Sequence, residues 1–278
     1  MNKIIIFFII ILNNVVYSSK HNDIQHISTK NDDKSVVTLL EEECNKSNKR
    51  CTDIGIMYIN GNGVKKNYEK ANQFFKKSCT LGFMEGCLNE ASSYYLGLGY
   101  TKDYKKAEVL YSKACENGYV QGCYNLGVLY LIGNQIGQNY LKAKIFFDKS
   151  CQKDFYQGCV NLGVIYKNGY GVKQDYFKAT KLYKKACDAG LTEGCFNLGV
   201  SYNNGEGVPH NYLKSLKLYE KTCQNGLAKG CYNAATIYHD TNSKVYDTKK
   251  AKILYKKACD YGFDKGCINL KKFRRKNK

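Results

Sequence analysis

The spacing of the cysteines is the feature that most constrains what this chain can fold into. Fourteen cysteines form seven pairs, and from Cys79 onward one pair follows another every 36 residues without a slip. The two members of a pair are eight positions apart, except in the first pair, where they are seven apart. Self-similarity at a fixed period of this length is typical of a solenoid built from supersecondary units. The cysteines are Cys44, Cys51, Cys79, Cys87, Cys115, Cys123, Cys151, Cys159, Cys187, Cys195, Cys223, Cys231, Cys259 and Cys267.

Each repeat has the pattern of two short helices, which we name helix A and helix B. Helix A is exemplified by the segment from Cys123 to Gly133, whose apolar residues recur at helical spacing. Helix B follows after a turn, as in YLKAKIFFDKSC, and its predicted apolar face consists of Ala143, Ile145, Phe146 and Cys151. Gly118, three residues past the cysteine of the preceding unit, suits a left-handed helix C-cap. Because one such unit cannot bury its apolar face alone, the sequence predicts an all-α fold, an α/α solenoid of stacked helix pairs.

The same periodicity divides the chain into segments. Residues 35–50 are expected to form a capping helix, and residues 51–266 are expected to form six repeats, with each A helix starting at the second cysteine of a pair. Residues 19–34 are expected to be a flexible leader. Residues 267–278 are expected to form a C-terminal cap followed by a basic tail.

The first 18 residues have the layout of a secretory signal peptide. Lys3 precedes an unbroken apolar run from Ile4 to Leu12, and small and polar residues follow. Nine apolar residues are too few to cross a bilayer, which takes about 20. The sequence therefore predicts a secreted or periplasmic protein without a membrane span after signal removal.

Export gives the cysteine pairs a meaning, because disulfides persist outside the cytosol. The sequence predicts a disulfide within each pair, joining the end of one B helix to the start of the next A helix. The chain-entropy model assigns about 2.5 kcal/mol to a ring this small. Zinc binding is the rival interpretation, but the seven-residue gaps and the four histidines of the chain do not match zinc-site spacing. We therefore expect neither a metal nor a cofactor.

The formal net charge of +19 is concentrated in the B helices, whereas the A-helix segments are almost uncharged. If the A helices line the concave groove, as in tetratricopeptide-like solenoids, the groove is neutral and the convex surface is basic. The basic surface favours anionic partners, such as a host or cell-surface molecule, and the alternative is that the lysines serve solubility. Nucleic acid is not an expected partner, because base-stacking motifs are lacking.

An asparagine recurs two positions after the second cysteine of each pair. Such amides can both donate and accept hydrogen bonds, so a row of them in a groove could hold the main chain of an extended peptide. The alternative is that each asparagine bonds the neighbouring turn of its own chain. Tyrosines one turn later, at positions 94, 130, 166, 202 and 238, are expected in the core. The candidate ligand-binding residues are Asn89, Asn125, Asn161, Asn197 and Asn233, with Asn269 at the last helix.

The unit YxKAxxLYxKACxxGxxxGCxNLGxxYxxGxGVxxDY resembles the Sel1-like repeat, a relative of the tetratricopeptide repeat. With a cysteine pair in every unit and a signal peptide, the chain also resembles the Helicobacter cysteine-rich protein family. That resemblance implies a secreted or periplasmic solenoid. It implies either interaction with a host molecule or weak β-lactamase and penicillin-binding activity. The uncharged A-helix segments favour a scaffold that binds an extended peptide or a peptidoglycan fragment in the concave groove. Two turns depart from the pattern, where Gln135 replaces a glycine and where HDTNSKVYD has none.

The sequence offers little support for hydrolysis. A serine β-lactamase needs a serine activated by a lysine one helical turn later, and the one S-x-x-K match is Ser150 to Lys153. Its second residue is the framework cysteine Cys151, and neither SDN nor KTG occurs. We expect Ser150 to be a helix-end serine, and the catalytic residues of any hydrolysis stay unknown.

Overall fold

The computed structural model describes residues 33–46 and 48–275. The predicted signal peptide, residues 19–32 of the predicted leader and the last three residues of the basic tail lie outside this part of the chain. The helix at the front begins at Asp33, two residues before the predicted cap. None of the helices described has both the length and the apolarity to cross a membrane.

The described residues contain fourteen α-helices and no strand, which confirms the predicted all-α class and tandem helix pairs. The chain forms two compact units, one ending at Phe146 and the other beginning at Phe147, inside α7. Even-numbered helices from α2 are A helices, and odd-numbered helices are B helices. In order they are α1 Asp33–Lys46, α2 Asn48–Asn60, α3 Tyr68–Thr80, α4 Met84–Leu96, α5 Tyr104–Glu116, α6 Val120–Ile132, α7 Tyr140–Gln152, α8 Tyr156–Asn168, α9 Tyr176–Asp188, α10 Thr192–Asn204, α11 Tyr212–Gln224, α12 Ala228–His239, α13 Thr248–Asp260 and α14 Asp264–Arg275.

All seven predicted disulfides are present, and each joins the end of a B helix to the first turns of the next A helix. Their Cα atoms are 4.3–4.7 Å apart, which is within the range that a disulfide spans. The predicted start of helix A at the second cysteine was wrong. Helices α4, α6, α8, α10, α12 and α14 start three residues earlier, because the corner between helices takes only three residues.

The corner between α9 and α10 shows how so short a connection closes. Gly190 has a φ of +89°, in the left-handed region that favours glycine. Its N–H donates to the carbonyl of Cys187 at 2.9 Å, and the N–H of Leu191 donates to the carbonyl of Ala186 at 3.0 Å. These bonds satisfy carbonyls that the end of α9 would otherwise leave without a donor.

The A and B helices of one repeat pack closely because helix A has a glycine where it contacts a tyrosine ring of helix B. In the second unit, a Cβ atom on Gly163 would come within 2.5 Å of the Tyr183 ring, and one on Gly199 within 2.9 Å of the Tyr219 ring. Both rings are buried. The glycines of the repeated NLG sequence therefore serve helix packing.

The predicted apolar face of α7 was partly wrong. Ala143 and Cys151 are buried as expected, but the side chain of Ile145 is 58% exposed and Phe146 is only partly buried. Phe147 is fully buried in their place. It lies four residues after Ala143 and four before Cys151, so these three residues share one face of the helix.

The turn between the A and B helices closes in the same way in all six repeats. The N–H of the residue that caps the B helix donates to the carbonyl of a tyrosine near the end of the A helix at 2.8–3.0 Å. The side chain of the same Asp or Asn accepts the N–H of a lysine three residues later at 2.9 Å. This double role of the capping residue satisfies donors at the start of the B helix.

The two turns that depart from the sequence pattern keep this closure, as their unchanged length indicated. Asn139 donates to the carbonyl of Tyr130 at 2.9 Å, although residues Asn134–Ile136 form a 3₁₀ helix. Positive φ angles occur in this turn at Gly133, Asn134 and Gly137. Asp247 donates to the carbonyl of Tyr238 at 2.8 Å after a turn that lacks glycine. The chain therefore tolerates variation within the turn while its ends stay fixed.

One core position of the first unit carries a carboxylate. Glu90 on α4 is only 6% exposed and occupies the position that Leu126, Leu162 and Leu198 hold in other repeats. Burial raises the pKa of its carboxyl above the usual range, and the nearby charges of Lys76 and Lys113 only partly offset that rise. A carboxylate buried here at neutral pH destabilises the first unit.

We predict that removing one disulfide lowers the free energy of unfolding by about 2.5 kcal/mol. The variant is Cys187→Ala with Cys195→Ala, and the measurement is chemical denaturation of the oxidised protein. The variant Cys259→Ala with Cys267→Ala is the matched control, because its ring has the same size but its cysteines are less buried. Equal losses support the entropic account. A much larger loss for the first variant would assign the effect to packing of the buried sulfurs.

We predict that Glu90→Leu stabilises the protein at pH 7 by about 1–3 kcal/mol, the typical penalty for a buried polar group without a full set of partners. Because the folded-state pKa of Glu90 is raised, the wild-type protein loses stability as the pH rises from the ordinary carboxyl range through that raised value. The gain from Glu90→Leu should therefore shrink as the pH falls toward about 4. Denaturation midpoints from pH 4 to pH 8 measure this difference.

Glu42→Leu is the control for that series, since Glu42 is exposed on α1. It removes one carboxylate of the same unit without changing a buried site. A gain from Glu90→Leu that stays constant over the whole pH range would contradict the prediction.

Candidate functional site

The A helices of the second unit present a nearly uncharged surface, which we call the A-helix face. Its half-exposed side chains come from α8, α10 and α12 and recur at helical spacing: Gln157, Val164, Glu193, Phe196, Asn197, Val200, Lys229, Tyr232, Asn233 and Thr236. Phe196 and Val200 of α10 also pack against the core of α12 and α13. The three A helices contain two lysines and one glutamate, whereas the B helices α9, α11 and α13 contain twelve lysines.

The predicted row of asparagines divides into two groups in the structure. Asn161 is buried, the amide of Asn233 bonds the hydroxyl of Tyr219, and Asn269 lies 3.5 Å from the hydroxyl of Tyr232. These amides are occupied by their own chain. Within the described residues, no hydrogen bond is found for the side-chain amides of Asn89, Asn125 and Asn197, which are half-exposed. This second group has the bonding capacity that a ligand needs.

The repeated tyrosines are less uniformly buried than expected. Tyr130 and Tyr238 are each 7% exposed, whereas Tyr94, Tyr166 and Tyr202 are half-buried. In every repeat, a lysine from the start of the B helix lies over the ring of the tyrosine, with its Nζ atom 4.7–5.5 Å from the ring centroid. A cation over an aromatic face stabilises such a contact. These six lysines are therefore part of the A–B packing.

The hydroxyls of the two buried tyrosines are bonded to carboxylates. Tyr238 donates to Glu220 at 2.8 Å, and Tyr130 donates to Glu108. Burial is the larger cause, and together with this hydrogen bond it raises the pKa of Tyr238 to about 12. Both phenols therefore stay protonated at neutral pH and act as structural donors.

The structure places Ser150 in the core. Its side chain is fully buried, and its Oγ atom donates to the carbonyl of Phe147 at 2.8 Å. Gly158 of α8 packs directly against it. The corresponding positions of other repeats carry alanine, as at Ala114 and Ala186, so Ser150 occupies a site for a small packing residue. This burial removes it from contact with a substrate.

The second unit also contains a cleft that sequence reasoning missed. It has a volume of about 730 Å³, and the lining comes from the end of α9, from α10 and from α11. Its floor is apolar, and its rim is mostly charged. The lining residues are Cys187, Asp188, Leu198, Tyr202, Lys214, Lys217, Leu218, Glu220, Lys221 and Gln224. A signal was present in the sequence, because Lys214, Lys217 and Lys221 share one helical face.

Solved structures with the same arrangement of helices support the fold. A protective antigen of uropathogenic Escherichia coli strains, c5321, matches with a TM-score of 0.75 and 23% identity over 86% of this chain and 51% of that one. This chain thus spans about half the length of the E. coli protein. A Sel1 repeat protein from Oxalobacter formigenes matches with a TM-score of 0.71 and 25% identity, over 81% of this chain and 90% of that one.

Cysteine-rich protein B of Helicobacter pylori is 37% identical over 47% of this chain and 93% of its own, with a TM-score of 0.39. No curated protein matches the sequence. The model of the Sel1 repeat matches residues 51–83, 87–119, 120–155, 157–191, 192–227 and 228–262, which is well over half of the chain. The protein therefore belongs to the Sel1 repeat family.

Proposed function

We propose that this protein is an exported binding scaffold that holds an extended peptide, or the peptide portion of a cell-wall fragment, along its A-helix face. Sel1 repeat proteins are protein-interaction scaffolds. The observation that carries the proposal for this chain is the half-exposed amide of Asn197, which keeps its bonding capacity on the nearly uncharged A-helix face. The main chain of a peptide carries N–H donors and C=O acceptors in alternation. A side-chain amide also carries one donor group and one acceptor group, so it can bond both.

The surroundings of Asn197 support this assignment. Phe196 and Val200 flank it on α10 as partly buried apolar side chains. Neighbouring amide and apolar groups allow a ligand to bury apolar side chains while its main chain finds hydrogen-bond partners. The hydrolytic alternative has no comparable support, since Ser150 is buried.

Export is supported by the disulfides. All fourteen cysteines are paired and none is free, a state that persists in an extracellular or periplasmic compartment. The N-terminal pattern of a signal peptide is consistent with that compartment. We therefore propose that the mature protein acts outside the cytosol.

We predict that Asn197→Ala weakens binding of a peptide selected on the oxidised protein about 2- to 10-fold, the equivalent of one lost hydrogen bond. Peptides are first selected from a random displayed library, and their dissociation constants are then measured by calorimetry. Asn242→Ala is the matched control, because Asn242 is an exposed asparagine in the turn before α13. Loss of affinity in the control, or no loss with Asn197→Ala for any selected peptide, would overturn the proposed face.

The salt dependence of peptide binding distinguishes this face from the lysine-rich B helices. Binding at a neutral surface should change by less than about threefold between 50 mM and 500 mM NaCl, because few charges are available for screening. Binding to the lysines of the B helices should weaken strongly over the same range. If the affinity of a peptide falls with salt and is unchanged by Asn197→Ala, the peptide binds the B helices.

We predict that the protein recovered from the secreting cell lacks residues 1–18 and has lost fourteen cysteine hydrogens to seven disulfides. Intact-mass measurement without reduction, repeated after reduction, checks both points. Retention of the N-terminus together with free thiols in the unreduced protein would contradict export.

A further inference from the structure

The cleft lined by α9, α10 and α11 is a second candidate binding site, and its lining residues differ from those of the A-helix face. Leu198 is buried at its floor, and Leu218 and Tyr202 are partly buried beside it. The volume of about 730 Å³ falls within the range of small-molecule sites. The floor offers an apolar surface, so the rim decides which ligand the cleft favours.

The acidic groups of the rim already have partners. Asp188 forms an ion pair with Lys184 at 2.6 Å, and Glu220 accepts a hydrogen bond from the hydroxyl of Tyr238 at 2.8 Å. Lys214 lies over the Tyr202 ring at 5.3 Å. For Lys217 and Lys221, no partner of the ammonium group is found among the described residues. Two ammonium groups without a direct partner among the described residues thus remain, four residues apart on one face of α11, where like charges repel.

Other repeats show why Lys221 is uncompensated. The equivalent lysine of α9, Lys185, donates to the carbonyl of Cys151 at 2.9 Å and pairs with Asp154 at 3.0 Å. One repeat later, Gly190 stands where Asp154 stood, so Lys221 has no carboxylate at this point.

The first unit compensates its lysine differently. Lys113, the equivalent of Lys221, donates to the carbonyl of Cys79 at 3.2 Å and lies near the charge of Glu90. Leu198 occupies the position of Glu90 in the cleft, and Lys217 occupies that of the exposed Val109. Compared with the repeat that contains Glu90, the cleft therefore lacks an internal anion and has a second cation.

We propose that this cleft binds a small organic anion, with its apolar body on Leu198, Leu218 and Tyr202 and its acidic oxygens held by Lys217 and Lys221. The acidic group of the ligand takes the place of the carboxylates that lie near Lys185 and Lys113 in two other repeats. The apolar body covers floor area that water otherwise contacts. The site is independent of the A-helix face and of the peptide proposed for it.

The test uses the oxidised mature protein and 2-naphthalenesulfonate, whose fluorescence can be followed because the chain contains no tryptophan. Two further probes separate the contributions of charge and apolar area, namely neutral 2-naphthalenemethanol and inorganic sulfate. We expect the sulfonate to bind at least tenfold more tightly than either. No saturable binding of the sulfonate, or equal binding of the neutral compound or of sulfate, would overturn the proposal.

Variants locate the site. Lys217→Gln with Lys221→Gln should weaken binding of the sulfonate at least tenfold. Lys252→Gln with Lys256→Gln is the control, because it removes two exposed lysines with the same spacing from α13 and should change the affinity less than twofold. Unlike Lys217 and Lys221, Lys256 forms an ion pair, with Asp260 at 2.7 Å. Equal effects of the two double variants would mean that general surface charge attracts the probe, and the proposal would be wrong.

Leu198→Glu gives an independent check, since it restores the carboxylate that the first unit has at Glu90. We expect it to abolish binding of the sulfonate by compensating Lys221 from within. Circular dichroism and a disulfide count establish that each variant is folded. If Leu198→Glu does not fold, the two lysine double variants still test the proposal. Asn197→Ala should leave the affinity for the sulfonate unchanged, whereas a parallel loss would show that the probe binds the A-helix face instead.

Discussion

The disulfide at the corner between one repeat and the next is the constraint on which the rest of the structure depends. It joins the last turn of a B helix to the first turn of an A helix, so only three residues connect the two helices. Short amphipathic helices bury little apolar area, and a ring of this size removes about 2.5 kcal/mol of chain entropy from the unfolded state. The cysteine pairs thereby help these thin repeats to stay folded.

Much of the framework could be predicted from the sequence, because it depends on periodic residues. The period of 36 indicated helix pairs, and the local spacing of cysteines indicated their pairing. The helix starts and the burial of Phe147 in place of Ile145 were missed, since both depend on how tightly the corner closes and how the helix is rotated. The division of the asparagines was also beyond the sequence, because it depends on which tyrosine hydroxyl each amide reaches.

The lysines of the B helices have three different roles that composition alone does not separate. One in each repeat lies over a tyrosine ring and belongs to the packing between the two helices. A second, seen at Lys113 and Lys185, reaches back to a backbone carbonyl at the end of the preceding B helix. Others are solvated. The net charge of +19 therefore overstates the charge that is available to a partner.

Positions that differ between repeats carry the most information about ligands. A residue that recurs every 36 positions is needed by the fold wherever it occurs, so its presence does not distinguish one repeat from another. Glu90 and Leu198 occupy the same position, yet one places a carboxylate beside Lys113 and the other leaves Lys221 without one. Because the backbone around the two positions is built from the same repeat, the difference in charge belongs to the side chains alone. A solenoid can in this way place a distinct binding site in one repeat while every corner of the framework stays the same.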